Sequence, residues 1–248
     1  MTPIVIIPAR MGASRLPGKP LAEIGGTPMI LRVLAQARLA AVGEVAVAAA
    51  DPVIVELVRG AGGTAVLTDP ALPSGSDRVL AALGELDPDG RCDIVVNLQG
   101  DMPTLAPADV RAVLAPLADA AVDFATIATE IRDEAGRTNP HMVKVVGSAV
   151  APRRLRALYF TRATAPWGEG PLFHHFGLYA YRRAALERFI ALPPSPLEQR
   201  ERLEQLRALE AGMRIDVTIV DAEPLDVNTP DDLARVRDLF GSFPGSKY

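Results

Sequence analysis

Short apolar runs alternate with segments of helical period through the first half of the chain, and this alternation constrains the fold most. Ile4–Ile7, Val45–Ala50, Thr64–Leu67, Ile94–Leu98 and Phe124–Thr129 read as strands. Helical patterns separate them. One begins near Met29. A second runs from Val53 to about Arg59, with Asp51 as N-cap and Pro52 in its first turn. A third runs from Ser76 to Leu86 and a fourth from Ala106 to about Leu117. Such a β-α-β-α rhythm predicts an α/β fold, a mainly parallel mixed sheet with helices on both faces.

The second half changes character. Ile131 to Asn139 is polar and rich in turn residues, and Val143–Val146 and Tyr159-Phe160 are short strand candidates. Phe176–Tyr181 alternates aromatic and small residues, as a strand does with one face against a site. Arg183 to Ala191 is helical. Pro196 opens a long helix to about Ala211, with Leu203, Leu206 and Leu209 inward and Gly212 as its stop. Ile215–Val220 reads as a strand, Pro230 starts a last helix, and the tail beyond Phe240 is expected to fray. No repeat, low-complexity tract or linker divides the chain. One domain over residues 1–248 is expected, with a functional subregion at about 130–212.

Composition removes several function classes. A net charge of −4 and a pI near 5.5 leave no broad basic surface for nucleic acid. The single cysteine, Cys92, excludes an intrachain disulfide framework and a Cys-rich zinc site. The N-terminus lacks a signal-peptide succession, and the apolar runs are far shorter than a membrane span, so a cytoplasmic protein without membrane contact is expected.

Chemistry concentrates in five stretches. After the first strand, Arg10, Arg15 and Lys19 are interleaved with Gly12 and Gly18. Glycine admits close backbone approach to a phosphate and the cations offset its charge. The loop is neither a Walker A sequence nor a dinucleotide fingerprint, and an ordinary solvated loop has the same composition. Asn97-Leu98-Gln99-Gly100-Asp101 follows an apolar strand, where a carboxylate can hold a divalent ion beside phosphates, or simply make a turn. Ser74-Gly75-Ser76-Asp77-Arg78 reads as a helix start whose turn and Arg78 can meet a base or phosphate, or as a plain cap. His174 and His175, adjacent on a strand, point to opposite faces and so do not share one metal. In Asp226–Asp232, Thr229 and Pro230 form a helix start, leaving Asp226 and Asn228 as spare oxygens.

In this order the stretches RLPGKPL, SGSDR, NLQGD, NPHMVKVV, YFTRATAPW, HHFGLYAYRR, LPPSPLEQRERLEQLR and NTPDDL resemble the 3-deoxy-manno-octulosonate cytidylyltransferase family (CMP-Kdo synthetases) over nearly the whole chain. The resemblance implies a nucleotide-diphosphosugar transferase (Rossmann-like) fold, a homodimer formed through the 130–212 subregion, Mg2+ dependence and a place in lipopolysaccharide synthesis. It implies transfer of CMP from CTP to a 3-deoxy-ulosonic acid. Arg10 and Lys19 would bind the CTP phosphates, and Ser74, Gly75 and Arg78 the cytosine. Asp101, with Asn228, would hold the metal, and Lys19, Arg10 and Asp101 would carry catalysis. Gln99, His175, Tyr179, Glu204 and Gln205 would hold the sugar acid, with Arg15 and Arg162 toward its carboxylate. The sequence departs from the family in Met102, where Glu is common, in Asn228, where Asp is frequent, and in a short segment between Trp167 and His174. Another sugar acid, such as a nonulosonate or an amino-octulosonate, and a nucleotide-binding module without turnover are the alternative readings.

Overall fold

The computed structural model describes residues 1–12, 15–221 and 224–241; Ser14 of the opening loop and the tail from residue 242 lie outside the described residues. The chain forms two compact units, Met1–Val110 with Pro224–Tyr248, and Arg111–Glu223. The expected 130–212 subregion falls within the second.

In the first unit β1 (Pro3–Ala9) leads through the small hairpin β2 (Glu23–Ile24) and β3 (Thr27–Pro28) into α1 (Met29–Leu39). Then follow β4 (Glu44–Ala49), α2 (Pro52–Gly60), β5 (Thr64–Leu67), α3 (Gly75–Leu86), β6 (Ile94–Leu98) and α4 (Pro107–Ala112). These four longer strands lie in the order β5-β4-β1-β6, all parallel, with Ile7 opposite Val47 and Ile6 opposite Asn97. Ile4 to Ile7 are at most 1% exposed. A parallel strand covered on both faces has no polar side, which is why this run is uninterrupted in the sequence. Each such side chain contributes roughly 1.5–3 kcal/mol by burial. The chain adds β4 and β5 on one side of β1 and β6 on the other. The order therefore reverses between β1 and β6, and ligands in open α/β sheets bind beyond the strand ends at such a reversal.

The second unit contains β7 (Phe124–Glu130), α5 (Glu134–Thr138), β8 (Lys144–Ala151), β9 (Arg154–Thr161), β10 (Phe173–Arg182), α6 (Arg183–Ala191), α7 (Pro196–Glu201), α8 (Gln205–Glu210) and β11 (Ile215–Ile219). Here β7 runs parallel to β11 and antiparallel to β10, while β9 is antiparallel to β11 and β8. The two short strands read around Val143 and Tyr159 are the inner parts of one long hairpin. The outer end of its first strand, residues 148–151, is exposed throughout, while in the second Leu155 and Ala157 are buried and alternate with exposed Arg156 and Leu158. The last helix, α9 (Pro230–Gly241), returns to the first unit, where Leu233 and Val236 pack with Ile24, Met29 and Val227.

Two expected helices are corrected. The segment 106–117 is helical only to Ala112, and a 3-10 turn over Ala115–Ala118 follows. Pro116 has no N–H to return to Ala112. The segment 196–211 is broken at Arg202, whose φ of 57° is left-handed, and Leu203 N–H closes on Glu198 O at 3.2 Å. This is a Schellman closure without the usual glycine. Leu203 and Leu206 still face the core, at 7% and 0% exposure. Gly212, with φ 72°, lies just beyond the second piece, as expected.

Candidate active site

The loop after β1 is folded on itself. Gly18, with φ 71°, donates its N–H to Met11 O at 3.2 Å and precedes the 3-10 turn Lys19–Leu21. Met11 N–H donates to Asp51 Oδ2 at 2.8 Å. Asp51 does precede α2, as read, but its carboxylate makes no helix cap and ties down this loop instead.

The loop borders a cleft of about 450 Å3 beyond the carboxyl ends of β1 and β6, within the range of small-molecule sites. One wall carries Arg10, Arg15 and Lys19; the other carries Ser74, Gly75 and Arg78; Gln99, Asp101 and Asn228 complete it. The candidates that the sequence places in this unit therefore line one cavity, with Asp226 as the exception. Lys19 Nζ donates to Asp101 Oδ2 at 2.6 Å and to Asn228 Oδ1 at 3.4 Å, and Arg15 Nη2 donates to the same Asn228 oxygen at 3.3 Å. Val227 N–H donates to Asp101 O at 2.9 Å, fixing the segment before α9 against the Gly100-Asp101 turn.

The opposite wall is more rigid than its sequence suggests. Ser74 caps α3: its Oγ accepts from Asp77 N–H at 3.2 Å and its hydroxyl donates to Asp77 Oδ2 at 2.5 Å. The plain-cap reading thus describes its side chain, while its backbone and Gly75 line the cleft. Arg78 is only 2% exposed, and Nη1 donates to Thr68 Oγ1 at 2.5 Å and Asp69 O at 3.1 Å. Burial first, and then the charge of Arg10, lowers its pKa; Asp51 and Asp69 oppose the shift. Two like charges held close together in a cleft are suited to a polyanion.

Asn97 supports the candidate Gln99 and is a residue that the sequence reading left unassigned. It is fully buried, donates Nδ2–H to Ser76 Oγ at 3.4 Å, and its Oδ1 accepts from Gln99 Nε2 at 3.1 Å. It thereby aims Gln99. The signal was an amide in an otherwise apolar strand.

Asp226 carries one of the two spare oxygens that the sequence offers. Its Oδ1 is buried without a hydrogen-bond partner. Burial pushes its carboxyl up to about 8, with Asp101 and Asp232 adding to the rise and Lys19 opposing it. Asp232 is otherwise engaged, accepting from Asn228 N–H, Thr229 N–H and the Thr229 hydroxyl at 2.9–3.1 Å, so the expected start of α9 is present.

In the second unit, His175 is buried and its Nε2 lies 3.0 Å from Thr126 Oγ1. The Thr126 hydroxyl also faces Phe176 O at 3.1 Å and Leu178 O at 2.8 Å. The hydroxyl has one proton for these partners, so which of the hydroxyl and Nε2 donates follows from the imidazole tautomer. This arrangement spans the irregularity in β10 between Phe176 and Tyr179. Burial, with a smaller contribution from His174, holds His175 down at about 3; burial and Lys144 hold His174 at about 4. The rings diverge as their alternation requires: His174 meets Phe176 at 4.4 Å between centroids, and His175 meets Phe160 at 4.9 Å and Tyr179 at 5.5 Å. Burial, then Glu204, raises the Tyr179 phenol above its usual pKa.

Glu204 heads α8, 3.8 Å from Arg207, and Gln205 is 4% exposed with Nε2 lacking a partner. The break at Arg202 thus places this polar pair at the start of a short helix rather than along the side of a long one. Arg162 donates Nε–H to Glu201 O at 2.9 Å and Nη1–H to Pro140 O at 3.2 Å, so much of its guanidinium holds backbone.

A cytidylyltransferase family profile matches residues 4–215. The chain is 62% identical over 239 residues to 3-deoxy-manno-octulosonate cytidylyltransferase of Azorhizobium caulinodans, spanning 96% of each chain. It is 64% identical over 239 residues to the protein of that name in Rhodopseudomonas palustris strain BisA53, covering 96% of this chain and 97% of the relative. A solved CMP:2-keto-3-deoxy-manno-octonic acid synthetase complexed with CTP superposes with a TM-score of 0.89 at 39% identity, over 98% of this chain and 99% of the other. With a cleft that joins cations to a carboxylate at the sheet's reversal point, and with full-length relatives of this kind, the chain belongs to the 3-deoxy-manno-octulosonate cytidylyltransferase family.

Proposed function

We propose that the protein transfers CMP from CTP to the anomeric hydroxyl of 3-deoxy-D-manno-octulosonate, releasing pyrophosphate and supplying the activated sugar for lipopolysaccharide synthesis. The observation that carries this reading is the cleft in which Lys19 bridges Asp101 and Asn228, with Arg10 on the same wall and Arg78 on the other. In the reaction the anomeric oxygen forms a bond to the α-phosphorus of CTP and gives up its proton to water, and the bond from that phosphorus to the β-phosphate oxygen breaks. Negative charge grows on the α-phosphate oxygens and on the departing pyrophosphate. Lys19 and Arg10 offset it, and Lys19 is held by Asp101 so that it need not reorganise during transfer. The Ser74–Gly75 backbone and Arg78 receive the cytosine. Gln99, His175, Tyr179, Glu204 and Gln205 hold the sugar acid, with Arg15 and Arg162 toward its carboxylate. No residue is needed as a general base.

Mg2+ fits the donors of the first unit. No group of three or more His, Cys, Asp or Glu side chains suited to a metal occurs among the described residues. Magnesium, however, commonly takes one or two carboxylates and completes its shell with water and substrate phosphates. Asp101 is a carboxylate in the cleft, and Asn228 is the other candidate. Bound there, the ion would offset triphosphate charge. No helix among the described residues is long and apolar enough to cross a membrane. A cytoplasmic homodimer completes the proposal.

The test is pyrophosphate release from CTP and Mg2+ across a panel of sugar acids. Release with the octulosonate alone is expected. Release favouring a nonulosonate or amino-octulosonate would move the assignment to another acceptor. CTP binding without release for any acid would make the chain a nucleotide-binding module.

A further inference from the structure

The backbone ladder between β1 and β4 ends where Ala50 N–H donates to Ala9 O at 2.9 Å. In an evenly spaced parallel ladder the next N–H due to β4 is that of Met11, two residues on. It goes instead to a side chain: Met11 N–H donates to Asp51 Oδ2 at 2.8 Å. The carbonyl of Met11 is held as well, accepting from Gly18 N–H at 3.2 Å. Arg10 and Gly12 flank Met11 and line the cleft, and Lys19, another lining residue, follows Gly18. One residue thus closes the base of the loop between two cations, and Asp51 ties that residue to the end of β4. Asp51 does not line the cleft, and its carboxylate makes no cap for α2, so the tie to Met11 is the contact that accounts for it.

We infer that Asp51 is a positioning residue for nucleotide binding: its carboxylate fixes the base of the loop, so that Arg10 and Lys19 stand in place before the triphosphate arrives. Cations already held need not be ordered at the moment of binding, and that ordering otherwise subtracts from affinity. Charge alone gives no reason for an acid here. Asp51 acts electrostatically on Arg78 of the cleft wall, and a negative charge so placed repels a triphosphate. The two possible roles therefore have opposite signs. Loss of the hydrogen bond weakens CTP binding, whereas loss of the charge strengthens it. The inference rests on reading the cleft as a CTP site.

The experiment compares the parent with Asp51→Asn, Asp51→Ala and Asp51→Ser in the full-length protein. Asparagine keeps an acceptor oxygen at the same reach without the charge, alanine has no acceptor, and the serine hydroxyl is one bond shorter than the carboxylate oxygen. Calorimetric titration of CTP without metal reads binding apart from turnover. Asp51→Ala and Asp51→Ser are expected to weaken CTP binding about tenfold or more, while Asp51→Asn keeps it within about twofold of the parent or tightens it. In turnover with Mg2+ the KM for CTP should rise in the same order, with kcat at saturating CTP falling less than about threefold, because bound nucleotide restores the loop. Trypsin gives a readout without ligand: cleavage after Arg10 and Arg15 should be about fivefold faster or more in Asp51→Ala and Asp51→Ser and unchanged in Asp51→Asn. If Asp51→Ala does not fold, Asp51→Ser, which keeps a helix-capping residue type before Pro52, carries the test. CTP binding as tight as the parent's, or tighter, in Asp51→Ala and Asp51→Ser would overturn the inference, and so would Asp51→Asn binding as weakly as Asp51→Ala. A parent that binds no CTP would instead overturn the reading of the cleft, with the trypsin comparison still deciding whether Asp51 anchors the loop.

Discussion

Lys19 Nζ stands 2.6 Å from Asp101 Oδ2, with 17% and 22% of the two side chains exposed. A pair this accessible to water contributes under about 1 kcal/mol to stability. In the proposed reaction its value would lie in holding an ammonium and a carboxylate where phosphate and metal charges meet. Lys19→Ala and Asp101→Asn should each lower kcat roughly a hundredfold or more, in line with loss of an electrostatic catalyst. Each should shift Tm by less than about 2 °C. Steady-state pyrophosphate release and thermal melting check both halves; near-normal turnover in either purified variant would remove its assigned role.

Acid should destabilise the second unit through its two histidines. Burial lowers their folded values to about 4 for His174 and about 3 for His175, below the ordinary 6.5. The unfolded chain therefore takes up protons as pH falls through 6.5, while the folded chain does not until near the lowered values. Stability is fully present above pH 6.5 and is lost on acidification, by about 1.4 kcal/mol per pH unit for each histidine. Urea midpoints between pH 6.5 and 4.5 should fall, and His174→Gln should make that fall shallower. An unchanged slope would mean that His174 takes up its proton equally in both states.

Arg202 holds φ 57° and ψ 47° between α7 and α8. A side chain in this region costs about 1 kcal/mol relative to glycine. Arg202→Gly should stabilise the protein by about 0.5–1 kcal/mol, raising Tm by about 1–4 °C. A fall in Tm would show that the arginine side chain gives more to the fold than its backbone conformation costs.

This position also marks where the sequence stops being readable. Leu203, Leu206 and Leu209 keep helical spacing across 196–211, and no glycine or asparagine announces the break at Arg202. Burial of leucines decides the pattern, while chain reversal is decided by a backbone state that arginine does not signal. The parallel strands were legible because burial on both faces writes an unbroken apolar run, as at Ile4–Ile7. The cation loop and the Gly100-Asp101 turn were legible because their residue types are unusual directly after strands. Asp51 was not: an acid before a proline reads as a helix cap, and only the folded chain brings it to Met11 N–H. Asn97 and Thr126 escaped for the same reason, since each acts on a neighbour by orienting it.

Asp216 is fully buried and takes two arginines. Arg154 contacts Oδ2 at 2.6 Å through Nη2, and Arg214 donates Nε–H to Oδ1 at 2.9 Å. Removing the buried member of an ionic set weakens the others, though both arginines also reach Asp119 Oδ2, at 3.5 and 3.1 Å. Both arginines keep about a fifth of their side chains exposed, so water recovers part of the loss. Asp216→Ala should cost about 3 kcal/mol, measured by urea unfolding, while Asp216→Asn, which keeps one acceptor, should cost less. Equal losses would mean that charge, and not the shape and acceptor that asparagine keeps, is what the site requires.

Gly75 and Gly100 both border the cleft, but a methyl group meets different surroundings at each. At Gly75 an added Cβ would lie 3.4 Å from Pro8 Cγ and 3.7 Å from Gln99 Oε1, which is ordinary contact. At Gly100 it would lie 3.0 Å from Pro8 O, a backbone atom that cannot turn aside, and 3.3 Å from Ile30 Cδ1. Gly100→Ala should therefore cost about 1–3 kcal/mol as overpacking. Gly75 opens α3, where alanine restricts the unfolded chain at little native cost, so Gly75→Ala should leave Tm unchanged or slightly higher. Its methyl group would nevertheless stand on the wall assigned to the cytosine. The KM for CTP should rise about tenfold or more, equivalent to about 1.4 kcal/mol of lost binding, with kcat at saturating CTP reduced far less. Intact affinity for CTP in a stably folded Gly75→Ala protein would show that the base lies elsewhere in the cleft.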